Sequence, residues 1–353
     1  MNIKDLLKNK YEFKGKIFTN QIIDYQNIYK SLMTINQLEF LMSLIYENKL
    51  KYVLEIGVYN GVSSLCMLKA GLKGNRDFEL YSFDINADIN FYGKAVMESC
   101  TDEEKKHYNL FLKSTSFDID NIIQNNIKFD LVFIDAKHSH PGPLIDLLFI
   151  IPYLNDNALV CLHDVVDHYI PNDFGASYIF EIWNDNYKYR VYDYENKVFS
   201  SMGIIQIPYD KNILLENLIA ISKISFQVDP YNAYFYNSKN MKYCLGIDIN
   251  DINKLKTYIM KNYNNEIFAN QIFDIFMKNY NNYMDNFIYN ICNTRGQLFL
   301  YKNIEKINDF YIKYNNFIEA ISWWIPIKKL RERFRNAYEC RPDQTRPDQN
   351  EAT

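Results

Sequence analysis

The decapeptide EIGVYNGVSS at residues 55–64 follows the strand-like run YVL at 52–54 and precedes a helical stretch. Gly57 and Gly61 stand four residues apart within it. A glycine at the end of a strand permits a tight turn, and a glycine at the start of a helix lets a ligand or another backbone approach the free N–H groups there. The spacing therefore predicts a ligand-binding turn at the carboxyl end of a first β-strand.

Short β-branched or aromatic runs alternate with helical stretches on both sides of this turn. The pattern predicts strands at 52–57, 80–84, 110–112, 129–135 and 158–162. It predicts intervening helices at 61–73, 89–106, 117–125 and 142–153. Two closely spaced runs, 189–194 and 203–207, predict an antiparallel hairpin at one edge of the sheet. Alternation of this kind predicts an α/β fold: a Rossmann-like, doubly wound, mostly parallel seven-stranded sheet, here with a C-terminal helical extension.

The overall composition excludes several classes of protein. The chain has 353 residues with 39 Lys and Arg against 43 Asp and Glu, so its net charge of −4 argues against nucleic-acid binding through a positive field. The six cysteines form no C-x-x-C pair, which indicates reduced thiols and argues against a cysteine-type zinc site. The sequence shows no signal peptide and no apolar run of the roughly 18 residues that span a bilayer. We therefore expect a cytoplasmic protein.

Asp84 ends the second predicted strand, where a carboxylate can accept hydrogen bonds from both hydroxyls of a ribose. The first turn has G-x-x-x-G spacing and lacks the third glycine of the dinucleotide motif G-x-G-x-x-G. An NAD-dependent oxidoreductase is thus the less favoured enzyme class. The placement of the acid instead suits an adenosyl ligand.

Residues 52–165 resemble the class I S-adenosylmethionine-dependent methyltransferases, on the motif E-x-G-x-x-x-G-x-S at 55–63 and on Asp84. The resemblance implies that S-adenosylmethionine is the cofactor and that Asp84 holds its ribose. It further implies that the third-strand end at 113–115 lines the adenine pocket. The cofactor-binding residues implied in this way are Glu55, Gly57, Gly61, Ser63, Asp84 and Ser114.

Four polar side chains follow two neighbouring predicted strands. Asp135 and His138 come after the strand at 129–135, and His163 and Asp164 come after the next one. The carboxyl ends of parallel strands meet at one edge of a sheet, so these groups should converge. Imidazole titrates near neutral pH, which suits His138, with Asp135 beside it, to general-base catalysis on a hydroxyl. Asp135, His163 and Asp164 could also hold Mg²⁺ or another divalent cation.

The strand end I-D-x-x-H at 134–138 and the acid that follows the next strand resemble the small-molecule and sugar O-methyltransferases, which include macrolide-sugar enzymes and the cephalosporin-hydroxylase-like group. This resemblance implies methyl transfer to an oxygen of a sugar or nucleotide-linked glycan precursor. His163 stands where the metal-binding members have a carboxylate. The difference favours a metal with more affinity for imidazole, or no metal.

The stretch WWIPIKKLR at 323–331 is similar to C-terminal tails of some bacterial surface-polysaccharide enzymes. The similarity implies a role in polysaccharide biosynthesis and peripheral contact of 321–335 with the inner face of the membrane. The alternative is a helix that packs on its own domain with a solvated basic face.

The chain as a whole divides into four predicted parts. They are a helical lead-in at 1–47, an S-adenosylmethionine-binding methyltransferase domain at 48–208, a helical accessory region at 209–335 and a disordered tail at 336–353. The lead-in contains a capping box at 34–37. The accessory region could mediate a homodimer. The leading hypothesis is a methyltransferase that acts on a polar small molecule. Its alternative from another class is a binding or scaffold protein that keeps the pocket but has lost the chemistry.

Overall fold

The structure is a computed structural model that describes residues 17–123, 126–166, 174–193, 198–228 and 247–286. These residues belong to one unit, Met1–Thr294. The predicted membrane-contacting segment 321–335 and the predicted tail 336–353 lie outside the described residues.

Seven strands form a single sheet. They are β1 (Tyr52–Ile56), β2 (Glu79–Asp84), β3 (Tyr108–Leu112), β4 (Phe129–Ile134), β5 (Leu154–Leu162), β6 (Lys188–Asp193) and β7 (Val198–Gln206). Their order is β3-β2-β1-β4-β5-β7-β6, with β1 to β5 parallel and β7 antiparallel to both β5 and β6. The arrangement confirms the predicted fold class and the antiparallel hairpin at one edge.

Helices connect the strands and continue beyond the sheet. In the described residues they are α1 (Thr19–Tyr29), α2 (Ile35–Glu47), α3 (Val62–Gly74), α4 (Lys94–Ser99), α5 (Asp102–Lys105), α6 (Ile119–Ile122), α7 (Gly142–Ile150), α8 (Gly175–Ile182), α9 (Lys211–Ser222), α10 (Ile249–Tyr263) and α11 (Glu266–Asp285). The predicted capping box is present at the start of α2, where Thr34 and Gln37 satisfy each other's backbone N–H groups. None of these helices is long and apolar enough to cross a membrane.

The predicted helix at 89–106 is wrong in extent. Two short helices, α4 and α5, replace it, because Thr101 adopts an extended backbone and caps a new helix. The Thr101 hydroxyl accepts a hydrogen bond from the Glu104 N–H, and the Glu104 carboxylate accepts one from the Thr101 N–H. Local capping chemistry thus overrode the helical periodicity of the longer stretch.

The sheet separates two hydrophobic clusters. Alternate residues of β1 supply both of them, since Leu54 packs in one cluster and Val53 in the other. Helices α1 to α3 cover the second cluster. The first cluster also takes Leu218 of α9, Ile252 of α10 and Phe276 of α11. The helices from 211 to 285 therefore share a core with the sheet, while the predicted domain boundaries stay a prediction.

Candidate active site

A cavity of about 740 Å³ opens at the carboxyl edge of the sheet. Its walls come from the segments that follow four adjacent strands: 57–59 after β1, 84–86 at the end of β2, 114–117 after β3 and 135–137 after β4. This volume falls within the range of sites that bind small molecules and cofactors. The cavity is where the strand order predicts a ligand.

Both predicted glycines have left-handed backbone conformations that close contacts require. Gly57 has φ +94°, and a Cβ there would lie 2.1 Å from the carbonyl oxygen of Asp135. Gly61 has φ +82°, and a Cβ there would lie 2.7 Å from the Cα of Gly93. Gly57 forms part of the cavity wall, whereas the close approach at Gly61 is between two backbones.

Asp84 lies in the cavity wall, but its carboxylate is already engaged within the protein. Oδ2 accepts hydrogen bonds from the N–H groups of Val58 at 3.0 Å and Tyr59 at 3.3 Å. Oδ1 accepts two from Asn86, through the backbone N–H and the side-chain amide, both at 2.9 Å. Asp84 therefore holds the glycine turn against β2 in this structure. Its contact with a ribose stays a prediction.

Glu55 is completely buried and does not contribute to the cavity wall. Its carboxylate accepts hydrogen bonds from three hydroxyls: Ser63 at 2.6 Å, Ser64 at 2.5 Å and Ser82 at 2.6 Å. Burial raises the pKa of Glu55 from 4.5 to about 7, against the opposing effect of the three hydroxyls. Glu55 and Ser63 therefore join β1, β2 and the start of α3 behind the turn. Ser64 and Ser82, which the sequence analysis did not single out, complete this network.

Glu55→Gln is expected to flatten the pH dependence of stability. Between pH 4.5 and 7 the folded protein binds a proton at Glu55 that the unfolded chain does not, so the free energy of unfolding falls as pH rises through this interval. We expect the fall between pH 5 and 8 to be smaller in the variant by about 3 kcal/mol. Denaturant unfolding at the two pH values measures it.

Glu98→Gln is the matched control, because Glu98 is half exposed and pairs loosely with Lys94 at 3.7 Å. It should leave the pH profile of the wild type unchanged. Parallel profiles for Glu55→Gln and the wild type would contradict the raised pKa of Glu55.

The four predicted polar residues do meet beside the cavity. His138 lies between the two carboxylates, with Nδ1 3.3 Å from Oδ2 of Asp164 and Nε2 3.7 Å from Oδ1 of Asp135. His163 lies deeper, with Nδ1 3.0 Å from Oδ1 of Asp164 and 3.3 Å from Oδ1 of Asp135. Asp164 reaches this position through a left-handed backbone, with φ +54°. The strand ends thus bring two imidazoles and two carboxylates into one cluster.

The charges within the cluster are mutually dependent. Burial disfavours a charged His163, but the adjacent Asp135 and Asp164 carboxylates outweigh this effect and raise the pKa of His163 well above its ordinary value. In the same way, His163 and His138 outweigh burial and lower the pKa of Asp135. His163 is therefore an internal counter-cation for the two acids.

Three residues of the cluster could hold a metal ion. One ligand atom from each of Asp135, His138 and Asp164 lies within 4.8 Å of the others. This set differs from the one that the sequence predicted, because His138 takes the place of His163. The side chain of His163 is 9% exposed, and that of His138 is 30% exposed. Two carboxylates and one imidazole suit a divalent cation.

The wall that follows β3 contains groups that the sequence analysis only partly found. Ser114 lies there as predicted, and its N–H donates a hydrogen bond to the carbonyl oxygen of Asp84 at 3.1 Å. Ser116 lies in the same wall, and its hydroxyl donates a hydrogen bond of 2.6 Å to Oδ1 of Asp146, which lines the cavity from α7. The signal for Asp146 was present in the sequence, where it is the one acid in the apolar run PLIDLLFI at 143–150.

The cavity suits the adenosyl cofactor that the resemblance implies. Its volume, the glycine backbone at 57 and the carboxylate of Asp146 offer a polar cradle with an acceptor for a hydroxyl or amino group, and Asp84 lies in the same wall. The lining also contains apolar side chains, among them Phe117 and Ile145, which suit a heteroaromatic ring. The residues present therefore fit the group.

Residues 54–165 match a family model described as a methyltransferase domain. The search of curated proteins returned no match. The solved structures that are similar to this chain include two O-methyltransferases. One is the O-methyltransferase TomG from Streptomyces achromogenes, which is involved in tomaymycin synthesis and was solved in complex with SAM. It is 15% identical, and the alignment covers 58% of this chain and 96% of that chain with a TM-score of 0.41. An O-methyltransferase from Bacillus cereus, solved in complex with SAH, is 11% identical, with 56% and 93% covered and a TM-score of 0.40.

Proposed function

Because residues 54–165 match a family model described as a methyltransferase domain, we propose that the chain transfers a methyl group from S-adenosylmethionine to an oxygen of a polar small molecule. One observation carries the proposal: a histidine held by a carboxylate lies at the edge of a cavity that suits the cofactor. Nδ1 of His138 is 3.3 Å from Oδ2 of Asp164. S-adenosylmethionine supplies an electrophilic methyl group on a positively charged sulfur when it is bound.

The chemistry asks two things of the protein. It must position the acceptor oxygen in line with the methyl group, and it must remove the hydroxyl proton as the new bond forms. When the Nδ1 proton of His138 is directed at Asp164, Nε2 of His138 can accept the hydroxyl proton of the acceptor. Asp164 then fixes the tautomer and the orientation of the His138 ring. His163, which is more deeply buried, compensates the negative charge of Asp135 and Asp164.

A sugar or nucleotide-linked glycan precursor is the proposed acceptor class. The support is the I-D-x-x-H strand end at 134–138 and its resemblance to sugar O-methyltransferases. Contact of 321–335 with an anionic membrane, a homodimer and a part in polysaccharide biosynthesis are proposals that rest on sequence. Flotation of the full chain with vesicles of anionic lipid tests the membrane contact.

Metal assistance is the second candidate, favoured by the set Asp135, His138 and Asp164. A divalent cation would supply Lewis acidity that lowers the pKa of the acceptor hydroxyl. His138 cannot serve both as ligand and as base through the same nitrogen. The internal counter-cation His163 also offsets one of the two negative charges that would attract a metal.

Chelation separates the two candidates. If His138 is the base without a metal, turnover in excess EDTA should stay within about twofold of the untreated enzyme, since no step then depends on the cation. Steady-state rates before and after EDTA treatment measure this. A loss of more than about tenfold that Mg²⁺ or Mn²⁺ restores would favour the metal candidate.

Calorimetric titration with S-adenosylmethionine, S-adenosylhomocysteine and NAD tests the cofactor class. We expect binding of both sulfur nucleotides and none of NAD, because the turn lacks the third glycine of the dinucleotide motif. Binding is followed by an acceptor screen that begins with nucleotide sugars. Absence of binding to either sulfur nucleotide by folded protein would overturn the proposal. Binding without methyl transfer to any hydroxyl acceptor would favour the scaffold alternative.

A further inference from the structure

Helix α8 is hydrogen-bonded to the backbone of both members of the His138–Asp164 pair. The N–H of Gly175, the first residue of the helix, donates to the carbonyl oxygen of His138 at 2.7 Å. The hydroxyl of Ser177 donates to the carbonyl oxygens of Val165 at 2.8 Å and Asp164 at 3.4 Å. The first turn of α8 therefore holds the segment after β4 and the segment after β5 together.

The backbone of Asp164 needs such support. Its φ of +54° lies in the left-handed region, which residues with a side chain adopt uncommonly. A conformation of this kind persists only where the surrounding structure holds it. Val165 is also fixed from the sheet, because its N–H donates to the carbonyl oxygen of Ser201 in β7 at 2.8 Å. Ser177 and β7 thus hold residues 164 and 165 from two sides.

Helix α8 is itself anchored at both of its ends. A Cβ at Gly175 would lie 2.4 Å from the carbonyl oxygen of His138 and 2.7 Å from Cδ of Pro143, so this turn approaches the strand end more closely than a side chain would permit. At the other end, the buried indole N–H of Trp183 donates to the carbonyl oxygen of Gln206 in β7 at 3.1 Å. The helix can therefore serve as a rigid support for the two segments that it holds.

We infer that Ser177 is a positioning residue for the general base: by holding Asp164 beside Nδ1 of His138, it maintains the tautomer in which Nε2 is the proton acceptor. The inference rests on the proposed function and adds to it a residue that acts through Asp164. In a neutral imidazole one nitrogen carries the proton and the other accepts, and the hydrogen bond made by the first decides which is which. Without the Ser177 hydroxyl, the left-handed backbone at Asp164 can relax, and the carboxylate then moves away from Nδ1.

The test reads the tautomer of His138 by NMR of the full chain labelled with ¹⁵N-histidine, at a pH above that at which its signals stop changing. The chain has five histidines, and the spectrum of His138→Gln identifies the signals of His138 by their loss. In the wild type the Nδ1–H tautomer should predominate, because Nδ1 lies 3.3 Å from Oδ2 of Asp164. Ser177→Ala should shift the ratio of the two tautomers about 2- to 10-fold toward Nε2–H, the effect of one lost hydrogen bond. Ser177→Thr keeps the hydroxyl and should restore the wild-type ratio.

Ser222→Ala is the matched control. The hydroxyl of Ser222 also donates to a backbone carbonyl, that of Leu218 at 2.7 Å, but within α9. Its loss removes a hydrogen bond of the same kind and should leave the tautomer of His138 unchanged. Thermal unfolding of each variant checks that it is folded. If Ser177→Ala does not fold, Ser177→Cys replaces it, because a thiol of similar size is a weaker donor and should shift the ratio in the same direction.

Three results would overturn the role of Ser177 without affecting the cofactor class. They are a wild type in which the Nε2–H tautomer predominates, a ratio that Ser177→Ala leaves unchanged or that Ser222→Ala shifts equally, and a Ser177→Thr variant that behaves like Ser177→Ala.

Calorimetry with S-adenosylhomocysteine tests the proposed function on the same samples. The wild type and Ser177→Ala should bind it with dissociation constants within about threefold of each other, because Ser177 lies outside the cavity wall. Folded wild-type protein that binds none would overturn the proposed function, whichever tautomer His138 adopts.

Discussion

Replacing His138 by glutamine is expected to lower kcat by roughly 10²- to 10⁴-fold, the usual contribution of a positioned general base. Glutamine keeps a polar side chain of similar reach between Asp135 and Asp164 but cannot take up a proton. The dissociation constant of S-adenosylmethionine should stay within about threefold, because His138 lies outside the wall of the cofactor cavity. Single-turnover rates with a saturating acceptor, together with calorimetry for the cofactor, separate the two effects.

His107→Gln is the matched control for this experiment. The side chains of His107 and His138 are both 30% exposed, and His107 also lies near a carboxylate, with Nδ1 3.3 Å from Glu79. His107 immediately precedes β3, at the amino end of that strand, and does not line the cavity. Its replacement should leave kcat within about twofold. Equal losses of kcat and of cofactor affinity in His138→Gln would show that His138 supports the pocket rather than the chemistry.

Gly57→Ala is expected to destabilise the protein by about 4 kcal/mol and to abolish measurable binding of S-adenosylmethionine. The new Cβ would lie 2.1 Å from the Asp135 carbonyl oxygen, at a backbone φ of +94° that an L side chain rarely adopts. Relief requires β1 and β4 to separate at the edge where the turn meets Asp135. The loss of affinity and the loss of stability therefore have the same cause.

Chemical denaturation measures the stability of Gly57→Ala, and calorimetry below its unfolding transition measures the affinity. Gly57 also donates its N–H to the carbonyl oxygen of Phe83 at 2.9 Å, so the strain also reaches β2. A variant that keeps wild-type stability and affinity would show that the turn relaxes without moving β4, and the close approach of Gly57 to Asp135 would then have no functional consequence.

The sheet and the general position of the site follow from local patterns in the sequence. Alternating strand and helix runs between 51 and 165 predicted the parallel sheet, because the spacing of apolar residues in each run indicates whether it is a strand or a helix. The same logic brought Asp135 and His138 to one strand end and His163 and Asp164 to its neighbour. Strand ends that are adjacent in a parallel sheet must be close in space, so the cluster could be predicted without coordinates.

Only the tertiary structure decided what each polar group does within that frame. Glu55 and Asp84 were predicted to bind the cofactor, and this stays a prediction. The structure adds that their carboxylates accept hydrogen bonds from serine hydroxyls and loop amides. His138 rather than His163 joins Asp135 and Asp164 in the set that could hold a metal. Such differences depend on the packing of segments far apart in sequence, which periodicity does not record.

The hydrogen bond between Ser116 and Asp146 also shows the difference between what the sequence determines and what the tertiary structure determines. The sequence shows Asp146 as a lone acid in an apolar helix, where the flanking residues are all hydrophobic. It did not determine its partner, 30 residues away in the segment after β3. Side-chain hydrogen bonds are short and directional, so they form only where packing of the whole domain has brought donor and acceptor together. Local propensity therefore determined the elements of this protein, and the packing between them decided the chemistry of its site.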